Sequence, residues 1–572
     1  MSSEAAHFTA MKSSITASSS TRKCLTWAIL VSVIFIAPAL FFGIPSNKDL
    51  LNHFRFALPF FDSLSSGQLY PGWLAESNSG YGDPSFRFYP PALYYLLSLG
   101  KALTGNWYVG TLLTLALLST LSGLGMYFWT RSMLSESSAM WAAILYALAP
   151  YHVNQLYQAS LLAEFAGAAV LPFAFGFVER VCRRGRFQDV AGLAATYALL
   201  ILTHLPLAVM GSLALVVYGV ALINRQNWRK CLRLLFLAAL LGLAASSVYW
   251  VRMVGELKWI GINNANPDSS VDYKQNFVFS TLSPENPTVW WVNILTVITF
   301  LLFVPALALC FRRARGQVNF GQLIPVAILT LVTFFMALPL SRPLWRILPV
   351  LQQTQFPWRW LAVFSMTGSL LTAASIPLWL ENRMQWRRPV RLIVLGSMLV
   401  SVAFTLAHTV REGEYRKPAQ FQSDLQSVRG TPSVSYWIPV WASRHPREMK
   451  SEVEAGDRQV VVNKWEPEHR SFEISPGNSS ELRLRTFYYP LWVASNAGQA
   501  LSTRPDSDGA LLISLPDSRT FPTSIDLDFR EPLRARVAVG VSAFGWLFIG
   551  LMAFAHVARR NNATGLKVLS KI

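Results

Sequence analysis

Over most of the first 410 positions the chain alternates between long apolar runs and short polar segments. A membrane helix needs about 20 mostly apolar residues, because roughly 30 Å of hydrocarbon is crossed at about 1.5 Å per residue. The pattern predicts about twelve spans. They run Cys24–Gly43, Val109–Trp129, Ala139–Leu156, Glu164–Val181, Val190–Leu205, Leu207–Ile223, Leu232–Val251, Trp290–Cys310, Phe320–Leu340, Trp360–Leu380, Leu392–Thr409 and Val537–Val557. Between Arg411 and Arg536 the period changes. Short alternating runs such as Arg458-Gln459-Val460-Val461-Val462 and Glu481-Leu482-Arg483-Leu484-Arg485 are broken by Pro-Gly and Asp-Gly turn signals, which predicts a small soluble β-sandwich. The expected organisation is a Ser/Thr-rich disordered tail (1–23), an all-α polytopic membrane domain (24–410), the β-rich domain (411–536), a last span (537–557) and a short tail (558–572). No internal repeat at a fixed period appears.

Composition sharpens this picture. Only 14% of residues are charged, against about 25% in soluble proteins, and mean hydropathy is +0.33. A net charge of +19 would suggest nucleic acid in a soluble chain. Its distribution says otherwise. With both termini inside, the cytoplasmic segments hold 23 basic residues against five acids. The outward loops before Arg411 hold ten against nine, and the β-rich domain 17 against 17. The excess is a positive-inside signal, so the expected location is the plasma membrane, with the large loops and β-rich domain extracytoplasmic and no nucleic-acid partner. Cys24, Cys182, Cys231 and Cys310 all fall at cytoplasmic ends of spans, where no exported disulfide is expected. Ala37-Pro38-Ala39 could be read as a signal-peptidase site, but apolar residues continue through Phe42, and an uncleaved span is the expectation.

Polar sequence available for chemistry lies in the outward loops, 44–108, 252–289 and 341–359. After the first span, Leu50, Leu51, Phe54, Leu58 and Phe61 recur at helical spacing, predicting an amphipathic helix on the outer membrane surface, bent near Pro59. Asp49 and His53 are one turn apart on its polar face. Such a pair is placed to act as a general base or to hold a metal; a solvated carboxylate favoured by the helix dipole is the plainer alternative. Arg55 and Arg87 lie in the same loop, and the Gly/Pro-rich stretch Gly80 to Pro91 includes Tyr89, whose ring suits a sugar face or the interfacial belt. Glu164 sits at the outer end of a span, where an ionisable group usually faces a cavity or a partner. His204 in Thr203-His204-Leu205-Pro206 is a span-end histidine of the kind that is usually structural. Arg359, in Gln355-Phe356-Pro357-Trp358-Arg359, is a cation at headgroup level suited to a lipid-linked phosphate or to plain snorkelling. No His/Cys cluster with zinc spacing, Walker loop, dinucleotide fingerprint or G-x-S-x-G elbow appears in a fitting context.

Taken in order, Asp49 with His53, Gly67 to Trp73, Gly80 to Pro91 with Tyr94-Tyr95, Leu148-Ala149-Pro150-Tyr151, Ala163-Glu164, Thr203 to Pro206, Gln355 to Arg359, Tyr436 to Pro439 and Phe487 to Trp492 resemble a known set. It is that of the bacterial polytopic proteins labelled "6-pyruvoyl-tetrahydropterin synthase-related", akin to YfhO-type proteins and GT-C glycosyltransferases. The resemblance spans residues 24 to about 550. Nothing resembles the soluble pterin enzyme. The resemblance implies a GT-C-like fold in which an acid of the first outward loop is catalytic and a second acid follows in the next; Asp49 and Glu164 match. An arginine expected shortly before Ala163-Glu164 is absent, which leaves phosphate binding there in doubt.

The expected function is transfer of a sugar from a polyprenyl-phosphate carrier to a glycan, lipid or protein acceptor of the envelope. Asp49 would serve as base, or as metal or acceptor ligand, with His53 tuning it. Glu164 would position the acceptor or share a divalent ion. Arg359, with Arg55 or Arg87, would meet the phosphate, and Tyr89, His204 and Gln355 would line the substrate. Two other readings remain open: a flippase for lipid-linked glycans, which would need polar helices through the midplane, and a catalytically idle relative that uses its sandwich for envelope assembly.

Overall fold

The computed structural model describes residues 26–27, 29–47, 49–261, 271–314, 321–380, 388–431, 437–515 and 522–569, with side chains omitted at 311–314 and 555–569. The disordered tail expected over 1–23, Cys24 and Tyr436 lie outside the described residues.

The chain is mostly helical. Helix α1 (Ile29–Phe42) leads into strand β1 (Ile44–Pro45), α2 (Leu50–Ser65) and α3 (Ala92–Thr104). Next come α4 (Trp107–Thr130), α5 (Glu136–Ala147), α6 (Pro150–Tyr157), α7 (Leu162–Arg184), α8 (Phe187–Thr203) and α9 (Leu205–Leu222). They are followed by α10 (Trp228–Ala245), α11 (Ser247–Glu256), α12 (Pro287–Phe303), α13 (Leu307–Ala314), α14 (Ile324–Ala337), α15 (Arg342–Ile347), α16 (Pro349–Gln352), α17 (Leu361–Leu380) and α18 (Arg388–Arg411). Local chemistry sets several boundaries. Asn106 caps α4 by accepting from the Tyr108 and Val109 amides, Ser135 caps α5, and left-handed Gly185 ends α7.

Among the described residues seven helices are long and apolar enough to cross a membrane, or up to nine if each sharply bent pair counts as one span. Twelve were expected; α1 and α8, where the spans Cys24–Gly43 and Val190–Leu205 were expected, are apolar but shorter than this length among the described residues, and the other three differences have local causes. The run Ala139–Leu156 is broken before Pro150 into α5 and α6, neither long enough to span. The run Leu232–Val251 turns by 72° between α10 and α11, and Phe320–Leu340 is followed by an 87° turn between α14 and the helical segment Pro339–Ile347. A backbone can leave the helix at such points only where neighbouring elements satisfy it.

Helix α2 differs from expectation too. It is not spread on a membrane surface: Leu50, Phe54, Ala57 and Phe60 are fully buried against Leu97, Phe165 and Phe421, while Pro59 leaves the helix unbroken. Its cover comes from a distant part of the chain, β2 (Tyr415–Arg416) and α19 (Pro418–Val428). Strand β2 pairs antiparallel with β1, and Phe421 of α19 meets Phe54 edge to face at 5.1 Å.

The remainder of the C-terminal region holds two antiparallel sheets. One has the order β3 (Val453–Glu454), β6 (Glu481–Phe487), β10 (Ala510–Ser514), β9 (Thr503–Pro505). The other has β4 (Val460–Trp465), β5 (His469–Ile474), β11 (Thr523–Phe529), β7 (Trp492–Asn496), β8 (Gln499–Leu501). Alternate residues of both, such as Leu482, Leu484, Leu511 and Ile513 from one and Phe472, Ile474, Ile525 and Leu527 from the other, share one core. Trp73 of the first loop is buried in that core as well, which docks the loop on the sheets. The long helix α20 (Leu533–Leu569) follows.

Candidate functional site

Strand β1 and its continuation are stitched to the loop between α6 and α7. Ser160 Oγ donates to the Pro45 carbonyl and accepts from the Asn47 amide, each at 3.1 Å. Asn47 Nδ2 donates to the Tyr157 carbonyl at 2.9 Å, and the Asp49 amide reaches the Ala159 carbonyl at 3.4 Å. Ser160 adopts a positive φ of 50°, turning the chain into α7. These bonds bring Asp49, at the N-cap of α2, to the same end of the fold as Glu164 in the first turn of α7.

Glu164 is buried, with 1% of its surface exposed. Tyr151 Oη (2.7 Å) and Gln155 Nε2 (3.0 Å), one turn apart on α6, donate to Oε1. Arg359 Nε donates to Oε2 at 2.9 Å. Arg359 sits on the 3-10 turn Pro357–Trp360, reached through Gln355, whose φ of 65° reverses the chain. Its Nη1 donates to the Thr354 carbonyl at 2.7 Å, and its plane lies over the Phe356 ring at 4.8 Å. The remaining nitrogen, Nη2, makes no hydrogen bond among the described residues. With Nε on the carboxylate and Nη1 on a backbone carbonyl, Nη2 is the nitrogen left to meet a second anion.

The rest of the cluster closes around this pair. His53 Nδ1 lies 3.1 Å from Tyr94 Oη, with Tyr89 edge-on at 6.4 Å. Burial pushes the His53 imidazole down to about 4, against the pull of the Asp49 charge, so it is neutral at pH 7. Tyr89 is within electrostatic reach of Asp49, Arg359 and Glu164; burial, with the Asp49 charge next, pushes its phenol above the ordinary range. His204, at the joint of α8 and α9, is within reach of both Arg359 and His53, and its Nδ1 accepts from the Leu207 amide at 3.2 Å, capping α9. Asp49 itself is half-buried and accepts one long bond, from Asn52 Nδ2 at 3.3 Å.

The structure therefore brings together Asp49, His53, Tyr89, Glu164, His204 and Arg359, with Gln355 shaping the turn beside them. Two of the expected phosphate cations are placed otherwise. Arg87 belongs to a second polar cluster: fully buried, it makes a two-pronged contact with Glu256 (2.5 and 2.6 Å) and meets Glu531 (2.6 and 3.0 Å). Tyr489 and Arg252 complete that junction of first loop, α11 and C-terminal region. With two carboxylates on it, Arg87 has no charge to spare for a phosphate. Arg55 points along α2 to Asn52 and to Thr431. Three contributors had no expected site role: Asn52, Tyr151, which entered only as part of a motif, and Gln155. The signal for the last two was their four-residue spacing behind Pro150, which sets them on one helix face.

Among the described residues no group of three His, Cys, Asp or Glu side chains could hold a metal ion. Asp49 and His53 offer two ligands at most, and Glu164 is taken up by three donors. The residues present do not fit a resident divalent ion.

A family model described as "6-pyruvoyl-tetrahydropterin synthase related domain; membrane protein" matches residues 86–409. The chain belongs to this membrane-protein family. The matched segment carries Tyr89, Glu164, His204, Gln355 and Arg359 and begins after Asp49 and His53. No curated protein matches the chain. Among solved structures, arabinofuranosyltransferase AftD from Mycobacteria is similar at 16% identity and TM-score 0.43, over 68% of this chain and 27% of its own. The oligosaccharyltransferase AglB from Archaeoglobus fulgidus, in complex with an inhibitory peptide and a dolichol-phosphate, is similar at 14% identity and TM-score 0.38, over 75% of this chain and 61% of its own. ArnT from Cupriavidus metallidurans bound to undecaprenyl phosphate is similar at 13% identity and TM-score 0.38, over 71% and 73%. The family member thus spans about a quarter of the AftD chain, and all three are loose likenesses.

Proposed function

We propose that this chain is a membrane glycosyltransferase of the GT-C type, moving a sugar from a polyprenyl-phosphate carrier to an envelope acceptor at the outer face of the bacterial plasma membrane. One observation carries the reading: a half-buried acid that accepts a single long side-chain bond, Asp49, shares a cluster with an arginine whose Nη2 is unbonded among the described residues, Arg359, at one end of the helices. All members sit at helix termini or in loops, which favours chemistry at the membrane surface over a polar path through the midplane.

In this reading the acceptor hydroxyl oxygen attacks the anomeric carbon as the bond from that carbon to the carrier phosphate breaks. The hydroxyl proton passes to the Asp49 carboxylate, whose lone pairs are nearly unoccupied. The leaving phosphate gains negative charge, which the open Nη2 edge of Arg359 stabilises. Glu164, saturated by Tyr151, Gln155 and Arg359, is not a base here; it holds the arginine in place. Neutral His53 adds no charge beside Asp49, and Tyr89 lies within electrostatic reach of both Asp49 and Arg359.

The test is Asp49→Asn expressed in a deletion strain. Lipid-extract mass spectrometry should show a glycosyl carrier accumulating as in the deletion, with the variant present in membranes at the parental level. A lipid profile identical to the parent's removes Asp49 from the mechanism.

A further inference from the structure

Asp49, Asn52 and Arg55 follow one another at intervals of three along the start of α2 and share a face. Their side chains form an ordered chain. Arg55 Nη1 donates to Asn52 Oδ1 at 2.6 Å, and Asn52 Nδ2 donates to Asp49 Oδ1 at 3.3 Å. The polarity of the middle link is fixed by chemistry: a guanidinium can only donate and a carboxylate can only accept, so the Asn52 amide has one workable orientation between them. The outer end is fixed as well. Arg55 Nε donates to Thr431 Oγ1 at 3.1 Å, and that hydroxyl donates onward to the Val428 carbonyl at 2.7 Å. The segment carrying Thr431 is clamped to the first loop: the Ser79 amide reaches the Gly430 carbonyl at 2.7 Å, and Arg429 bridges Asp62 and Glu76 at 2.8 Å each.

We infer that Asn52 and Arg55 are positioning residues that orient the Asp49 carboxylate, anchored at Thr431 so that the C-terminal region helps build the site. The inference rests on the reading of Asp49 as the base. It also gives Arg55 a role other than meeting phosphate: of its two bonded nitrogens, one faces Asn52 and the other Thr431. A carboxylate held by a single long bond keeps its other lone pairs for the acceptor while its plane is restrained, which is what a near-attack geometry needs.

The discriminating variant is Asn52→Asp. It is isosteric, keeps an acceptor for Arg55, and places a carboxylate in the first turn of a helix, where the dipole favours it. A residue that served only the fold would tolerate it. A residue that orients Asp49 would not, because the donor is replaced by a like charge. The assay uses purified full-length protein in nanodiscs, with the glycolipid fraction of the deletion strain as donor, strain membranes as acceptor, and released polyprenyl phosphate as the readout. The expectation for Asn52→Asp is kcat lowered about tenfold, equal to about 1.4 kcal/mol, with KM for the donor and the unfolding midpoint unchanged. Thr431→Val, which touches only the far end, should lower kcat by about two- to threefold with the same unchanged KM, and it decides the matter should Asn52→Asp fail to fold. Parental kcat in both variants, or a raised KM with parental kcat, overturns the inference. Full activity of Asp49→Asn in the same assay instead overturns the reading on which it rests.

Discussion

Removing the Glu164–Arg359 pair one partner at a time should cost far more than removing both. The contact is 2.9 Å between side chains that are 1% and 9% exposed, so neither charge is hydrated when its partner is lost. Breaking a buried pair by deleting one member costs about 3–5 kcal/mol, chiefly because the survivor is left uncompensated. Arg359→Met leaves the Glu164 carboxylate with only the neutral donors Tyr151 and Gln155. Glu164→Gln keeps an oxygen for Tyr151 but strands the guanidinium. In the double variant no charge remains, Tyr151 still has an acceptor, and the loss should fall to about 1–2 kcal/mol, the range for disturbed neutral hydrogen bonds. The double-mutant cycle therefore predicts a coupling of at least about 3 kcal/mol, well above the 0.3–0.5 kcal/mol scatter of independent sites, roughly. Unfolding of the purified protein by sodium dodecyl sulfate titration in mixed micelles measures each corner. If the two single losses add to the double within that scatter, the pair is not the buried ion pair described here, and the argument that Glu164 holds Arg359 fails with it.

The His53 imidazole has its folded pKa lowered to about 4 from 6.5 by burial. The unfolded chain therefore binds the proton first: its contribution is complete above pH 6.5 and is lost as pH falls through 4, about 3 kcal/mol in all. His53→Gln should flatten the stability loss over that window, and a difference curve parallel to the parent's would refute the burial argument. Arg87→Met should leave the fully buried Glu256 with only the Tyr489 hydroxyl and the 3.6 Å contact of Arg534, and loosen the junction between first loop and sheets by about 2–4 kcal/mol, read as faster proteolysis in the first loop. An unchanged cleavage rate would show the junction to be held by packing alone. Gly82→Ala combines a φ of +73° with a Cβ that would fall 2.1 Å from Trp73 Nε1. It should lower the unfolding midpoint by the equivalent of about 2–4 kcal/mol, from strain and overpacking together; parental stability would mean that Trp73 is not seated as described.

How far the sequence could be read depended on whether the information was local. Helices α4, α7, α12, α17, α18 and α20 carry apolar stretches that answer to bilayer thickness alone, and each is found. The bends after Ala245 and Ala337 and the break before Pro150 depend on which neighbours accept the freed backbone, which no window of 20 residues reveals. The cover on α2 was out of reach for the same reason: its amphipathic spacing was legible, but whether lipid or protein meets the apolar face is set by β2 and α19, more than 350 residues away by their pairing and packing partners. At the site, residue types were legible because ionisable groups are rare at span ends. Their pairing was not. Glu164 and Arg359 are separated by 195 positions and were read as two independent candidates, and Arg87 looked as free as Arg359 until Glu256 and Glu531 were found on it.

That contrast between two arginines is also the argument for which acid does chemistry. Buried ions in a poorly hydrated setting are stabilised by pairing, and near the outer loops this protein pairs Arg359 with Glu164 and Arg87 with Glu256 and Glu531. In each case protein donors hold the carboxylate on a fixed cationic partner. Asp49 is the exception: half-buried, close to both Tyr89 and His53, and without a cationic partner among the described residues. The arginine paired with a single carboxylate, Arg359, stands in the same cluster, whereas the arginine paired with two carboxylates stands outside it. In the proposed reading, Asp49 would take the proton and Arg359 Nη2 would meet the phosphate charge, and both stand within electrostatic reach of the same Tyr89.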